Sequence, residues 1–176
     1  FYCERILFHG LNTYSTHGKI GIDTQNCFVR WYTMKISTRG RYSLRMMIDL
    51  AEHYNEEFIA LKDISERQNI SKKYLEQIVP FLNRSNLLTT YRGHMGGYKL
   101  ARHPSQITIG DILLSSEGSL NPVSCMDNDP NICSRQADCL TLPIWQGLSE
   151  VIANYLNGIT LQDILDRYQE SPEYYI

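Results

Sequence analysis

Residues 71–84, SKKYLEQIVPFLNR, carry apolar side chains at helical spacing: Tyr74, Leu75, Ile78, Val79 and Leu82 share one face. Ser71 is an N-cap residue type, so a capped helix with one buried face is predicted. The other face holds Lys72, Lys73, Glu76, Gln77 and Arg84, side chains long enough to reach phosphates or base edges. Upstream, residues 38–54 show an i+4 ladder of Tyr42, Met46, Leu50 and Tyr54, widened by Leu44, Met47, Ile48 and Ala51. Between the two, residues 61–68 (LKDISERQ) predict a two-turn helix with Leu61 and Ile64 inward, and Phe58-Ile59-Ala60 a short apolar link. Asn69-Ile70 makes a tight turn, because Asn tolerates the left-handed conformation. Short helix, tight turn and capped helix with a polar outer face are the layout of a helix-turn-helix. Pro80 removes one backbone hydrogen bond inside the second helix and should kink it there, leaving residues 72–79 regular.

After Asn86 the period shortens. Residues 87–91 (LLTTY) and 98–100 (YKL) predict two short strands, joined by the glycine-rich RGHMGG as a hairpin loop. A helix-turn-helix followed by a two-stranded hairpin is a winged helix, with Arg92 at the base of the wing. Thr108 can cap a helix with Ile109, Ile112 and Leu113 inward and Gly118 as its stop. A polar loop, 119–141, leads to Pro143, which suits a first helical turn. The helix 143–157 has a stripe of Ile144, Leu148, Val151, Ile152, Tyr155 and Leu156, broader than one monomer needs. Gly158 ends it, and Thr160 caps a last helix closed by Pro172.

The predicted fold is mainly α with a small β-hairpin wing: a winged helix-turn-helix over 34–107, then a cysteine loop and dimerisation helices over 108–176. Residues 1–33 keep no helical period and no clean alternation beyond a short strand at IGI or NCFVRWY. They are expected to be a non-native or upstream extension, with the functional protein beginning at Met34.

Charge adds a direction to this layout. Residues 34–108 hold 12 Lys+Arg against 7 Asp+Glu, net +5, and residues 109–176 hold 2 against 10, net −8. A basic half points to a polyanion partner, and the acidic half argues against nucleic acid wrapping the whole molecule. Arg39, Arg41 and Arg45 crowd the start of the first helix, the end where the dipole prefers acids. That placement suits phosphate contact, with a solvated basic face as the plain alternative. No run of 18 apolar residues and no secretory pattern is present, so no membrane span and a cytoplasmic location are expected.

The five cysteines are Cys3, Cys27, Cys125, Cys133 and Cys139, an odd count that argues against a disulfide framework. Cys125, Cys133 and Cys139 form C-x7-C-x5-C in the polar loop. Thiolates bind zinc and iron–sulfur clusters, and zinc sites commonly use C-x2-C pairs, which are lacking. The spacing therefore favours an iron–sulfur cluster over zinc, with three free thiols as the alternative. No G-x-S-x-G, P-loop or H-E-x-x-H occurs, and His9, His17, His53, His94 and His103 are scattered, so no enzyme is predicted. His94 lies in the wing, where surface decoration outweighs a DNA contact.

MKISTRGRYSLRMMIDLA, LKDISERQNISKKYLEQIV and YRGHMGGYKL together resemble the iron–sulfur cluster regulator (IscR-type) family of bacterial winged-helix repressors. CLTLPIWQGLSEVIANYLNGITLQDIL resembles that family's dimerisation helix and tail, and the resemblance covers nearly all of 34–170. It implies a homodimer on a pseudo-palindromic double-stranded DNA operator, with Ser71, Lys73, Tyr74, Glu76 and Gln77 in the major groove and Arg92 and Gly93 in the wing. Lys72, Lys73 and the first-helix arginines, Arg39 and Arg41 among them, would position the domain on phosphates. Gln pairs with adenine, and Glu accepts from cytosine N4 while repelling phosphate, so Glu76 would select sequence rather than add affinity. The Tyr74 ring lies on the apolar stripe while its hydroxyl is free for the backbone.

The resemblance also implies a cluster on Cys125, Cys133 and Cys139, [2Fe-2S] or [4Fe-4S]. The family's best-known regulators carry C-x5-C-x5-C and then a His three residues on. Here the first interval is longer by two, and Leu142 stands where the His is expected. Asp127, Asp129, Asp138, Glu117, a small thiol or a residue from elsewhere in the dimer remain as fourth ligands. The same family holds cluster-independent repressors of cysteine metabolism that act through a partner enzyme, and nitric-oxide sensors. The C-terminal EYYI is compatible with the cysteine branch. A reading from a different class is an iron–sulfur or redox carrier, which would lack sequence-specific DNA binding.

Overall fold

The computed structural model describes residues 36–55, 58–93, 96–127 and 133–170. All belong to one unit, Met34–Ile176. The readings made for residues 1–33, for His94 and for Asp129 fall outside the described residues.

Helix α1 (Thr38–Glu52) is capped by Ser37, whose side chain accepts from the Gly40 N–H at 3.1 Å. Met46, Met47, Leu50 and Ala51 line its buried face. Tyr54 falls beyond the last turn and is exposed, so the ladder ends at Leu50; its ring stands edge-on to His103 instead. Helix α2 (Leu61–Gln68) buries Leu61 and Ile64 and stops at Asn69, whose φ of 49° is left-handed as the turn requires. Helix α3 (Lys72–Arg84) starts on Ser71, whose Oγ accepts from the Tyr74 N–H at 3.3 Å. Leu75, Ile78, Val79 and Leu82 are its buried stripe. Pro80 does not end the helix; it is exposed, and the chain stays helical to Arg84.

Strands β1 (Leu88–Tyr91) and β2 (Gly97–Leu100) pair antiparallel, Leu88 opposite Leu100 and Tyr91 opposite Gly97. The supposed link at Ile59 is a third edge. Its N–H donates to the Tyr98 carbonyl at 3.0 Å, and Tyr98 returns the bond at 2.9 Å. A Cβ on Gly97 would lie 2.5 Å from the Ile59 carbonyl oxygen, so this crossing needs a glycine.

Helix α4 (Ile109–Glu117) opens with a capping box between Thr108 and Asp111 and ends at Gly118, φ 85°. Helix α5 (Leu142–Asn157) takes Pro143 in its first turn. Helix α6 (Leu161–Glu170) begins at Thr160, whose Oγ1 accepts from the Asp163 N–H at 3.1 Å. Backbone bonds from Ile109 to Ile159 (2.9 Å) and from Leu161 to Ile107 (3.0 Å) tie the starts of α4 and α6 together. Both helices pack on α1, and Leu161 is fully buried with Met46, Leu75, Ile107 and Ile112 in one core.

Helix α5 is the exception. None of its residues is buried, and Val151 and Tyr155 are 65% and 67% exposed.

Candidate nucleic-acid interface

The exposed start of α3 and the wing flank an open groove of about 690 Å³, lined by Lys62, Lys72, Glu76, Asn83, Thr90 and Arg92 among others. Ser71, Lys72, Lys73, Glu76 and Gln77 are all exposed. Lys72 Nζ and Glu76 Oε1 are 3.9 Å apart, a surface pair worth a few tenths of a kcal/mol at about this geometry. Tyr74 is half-buried, its ring edge-on to Tyr42 of α1 at 5.3 Å. Thr90 Oγ1 donates to Asn83 Oδ1 at 3.2 Å and joins the wing to α3. Arg92 and Gly93 are exposed in the loop that follows β1, so Arg92 stands at the tip end of the wing and not at its base as expected; Gly93 has φ 143°. Phe58 packs against both strands of the wing, its ring tilted 35° to that of Tyr91 at 5.4 Å and under the Lys99 ammonium at 4.7 Å.

The arginines of α1 separate. The Arg39 guanidinium lies over the Phe81 ring at 4.6 Å, with Arg84 also against that ring at 4.8 Å. Phe81 is ten residues beyond Ser71, roughly 15 Å along the helix. Arg39 thus sits toward the far end of α3 from the polar turns that face the groove. Arg41 is exposed and donates to Thr38 Oγ1 at 3.1 Å. Arg45 instead reaches the turn before α3, donating to Gln68 Oε1 at 3.2 Å and to the Gln68 carbonyl.

The cysteine loop joins α4 to α5. Cys125 lies in a 3-10 turn, Ser124–Met126, and is exposed; Cys133 and Cys139 are half-buried. Thr141 lowers the Cys139 thiol below its ordinary value, by a side-chain hydrogen bond (Sγ to Oγ1, 3.4 Å) and by its backbone; the Leu142 backbone and Arg135 add to this against slight burial. A thiol at a helix N-terminus is set toward thiolate, the form that binds iron. Glu117 is already engaged: its Oε1 accepts from Ser37 Oγ at 2.7 Å and from Ser37 N at 3.1 Å, beside Gly40. Asp127 accepts from Ser119 Oγ and from Asn121 Nδ2. Asp138 is exposed in the turn Gln136–Asp138. Among the described residues, the three cysteines do not converge within 4.8 Å as a single ion would require. Three thiols are a donor set of the kind that would hold an iron–sulfur cluster, with Cys125, Cys133 and Cys139 as its ligands if one is bound.

Residues 36–167 match the family model Rrf2, described as an iron-dependent transcriptional regulator. The chain belongs to the Rrf2 family. It is 39% identical over 132 residues to Protein rrf2 of Nitratidesulfovibrio vulgaris (strain Hildenborough), covering 75% of this chain and 87% of that one. Among solved structures it is similar to T. potens IscR, with TM-score 0.63, 36% identity and coverage of 81% and 94%. It is also similar to CymR, the global cysteine regulator of B. subtilis, with TM-score 0.61, 36% identity and coverage of 77% and 98%. This Rrf2 chain is therefore a DNA-binding transcriptional regulator of winged-helix fold, and not an enzyme. Among the described residues, no helix is long and apolar enough to cross a membrane.

Asp49 escaped the reading of the sequence. It lies within the buried stripe of α1, three residues after Met46, and its carboxylate is fully buried. An acid at a position where the period calls for an apolar side chain is the signal that marks it. Asp49, Glu52 and His53 bring ligand atoms within 4.8 Å of one another. Asp49 is held there by Arg67, and His53 Nδ1 lies 2.8 Å from the Asp49 carbonyl, so the group is a helix end with an ion pair.

Proposed function

We propose that this Rrf2-family chain is a homodimeric repressor whose operator binding responds to an iron–sulfur cluster held by Cys125, Cys133 and Cys139. The observation that carries the reading is the position of the cysteine loop. It starts at α4, which packs on α1 and α3 of the DNA-binding unit, and ends at α5, whose apolar face is unburied. Gaining or losing a cluster there would change how α5 is held relative to the DNA-binding unit, and hence the spacing of two such units in a dimer. A bound cluster supplies sensitivity to oxidants and iron supply. The chain's own contribution is three thiols, Cys139 set toward thiolate, and no described carboxylate of the loop left without a partner except Asp138 at the surface. The fourth ligand then comes from Asp138, a small thiol, a residue outside those described or a second copy. Genes of iron–sulfur cluster assembly are the natural targets of such a sensor.

Sequence would be read by Ser71, Lys73, Tyr74, Glu76 and Gln77 in the major groove and by Arg92 and Gly93 from the wing, with Lys72 and Arg41 on phosphates. The 36% identity to CymR favours one rival, a cluster-independent regulator of cysteine metabolism that works through a partner enzyme. Anaerobic purification separates the two. A brown wild type with visible charge-transfer bands, and a colourless Cys133→Ala that no longer responds to oxygen, is expected. A wild type that stays colourless after reconstitution with iron and sulfide, or regulation untouched by loss of all three cysteines, sinks the cluster reading in favour of the rival.

A further inference from the structure

The buried Asp49 carboxylate receives three hydrogen bonds: Arg67 Nε at 3.0 Å, Arg67 Nη2 at 2.6 Å and Gln68 Nε2 at 3.0 Å. Burying an ionised carboxylate is tolerated only with such pairing, and the pairing clamps the last turn of α2 onto α1. It also orients Gln68. With its amide nitrogen on Asp49, its Oε1 accepts from Arg45 Nε at 3.2 Å, and its backbone carbonyl accepts from Arg45 Nη2. The Arg45 guanidinium further lies 5.6 Å from the Tyr42 ring, which meets Tyr74 in the first turn of α3. An exposed arginine is thereby held at the turn, three residues from the N-cap Ser71. Arg67 is neutralised by Asp49, whereas no salt bridge to Arg45 is found among the described residues.

We propose that Arg45 contacts the DNA phosphate backbone beside the groove that α3 enters, and that Gln68 and Asp49 are its positioning residues. The proposal rests on the DNA-binding reading of α3. In a helix-turn-helix the elements ahead of the recognition helix cross the backbone while that helix enters the groove. Arginine has five N–H donors in a rigid fork; two are used on Gln68, and the others suit a phosphate. Holding the side chain in advance lowers the ordering cost of the contact. Arg39, stacked on Phe81 toward the other end of α3, has no such place.

The test is a salt titration between 50 and 200 mM KCl on two labelled duplexes: one selected by the anaerobically purified wild type from a random pool, one of mixed sequence. Arg45→Gln removes the charge and keeps an amide to hold Gln68. It is expected to weaken binding to both duplexes by a similar factor and to flatten the slope of log K against log salt by about 0.9 per lost phosphate contact, about 1.8 for a dimer. Arg45→Lys is expected to retain the slope. Gln68→Ala is expected to keep the slope, because the charge remains, while weakening binding several-fold. A wild-type slope in Arg45→Gln overturns the Arg45 assignment, and wild-type affinity in Gln68→Ala overturns the positioning role. A wild type that binds neither duplex overturns the DNA-binding reading itself, a result distinct from both.

Discussion

Glu76 lies on the exposed face of α3, 3.9 Å from the Lys72 ammonium, at the edge of the groove under the wing. On the proposed reading of α3, a carboxylate there would oppose the phosphates and act on choice of sequence rather than on strength. Glu76→Ala is expected to raise binding to single-base variants of the selected duplex relative to the duplex itself. The preference at the affected position should fall by about 1–3 kcal/mol, as measured by competition across the variants. A uniform loss on every sequence would show that Glu76 does not face a base. The exposure of its neighbours Lys73 and Gln77 was legible in the sequence because helical spacing alone places them opposite the apolar stripe, and Ser71 was legible as the N-cap. Arg39 and Arg45 were not separable in that way. They are six residues apart on one helix, and only the packing of α1 across α3 sends one to Phe81 and the other to Gln68.

At the scale of elements, the caps carry most of the local specification. Ser37, Ser71, Thr108 and Thr160 each accept from a backbone N–H in the first turn, where unpaired donors would otherwise remain. At α6 the bond is reciprocal: Asp163 Oδ2 accepts from Thr160 N at 2.8 Å and from Thr160 Oγ1 at 2.7 Å. These bonds, the backbone one foremost, and the nearby Arg167 hold the Asp163 carboxyl below its ordinary value. A carboxyl depressed in the folded state stabilises the fold above its unfolded-state value and loses that contribution as pH falls through the folded-state value. Stability is therefore expected to decline on acidification below the usual carboxylate range. Asp163→Asn is expected to lower stability at neutral pH and to reduce the slope of that decline, measured by urea unfolding over an acid series. An unchanged acid slope would show that the cap does not contribute to it. The edge at Ile59 shows what such local rules miss. Ile59, in an apolar run without periodicity, bridges to Tyr98 because Gly97 lets the backbones meet.

For the whole molecule, the unburied face of α5 is the feature that most demands a partner. Ile144, Leu148, Val151 and Tyr155 are exposed on a helix that packs mainly against α4. If this face joins two copies, Val151→Asp places two unpaired carboxylates in the interface, at a cost of roughly several kcal/mol. Sedimentation velocity is then expected to show a halved mass. Binding to the selected duplex is expected to fall steeply while weak binding to mixed sequence persists. A Val151→Asp chain that remains dimeric would move the interface off this face.

The sequence by itself determined the helices, the caps at Ser71, Thr108 and Thr160, the left-handed turn at Asn69, the winged-helix order and the loop that carries three thiols. Each of these depends on neighbours within a few residues, where periodicity and cap chemistry act directly. Only the tertiary structure decided the return of α6 to the α1 core through Leu161, the clamp of Asp49 on Arg67 and Gln68, and the engagement of Glu117 by Ser37. These contacts join residues far apart in the chain. Their partners are chosen by the requirement that buried polar groups be paired and apolar surface be covered, which no local pattern records.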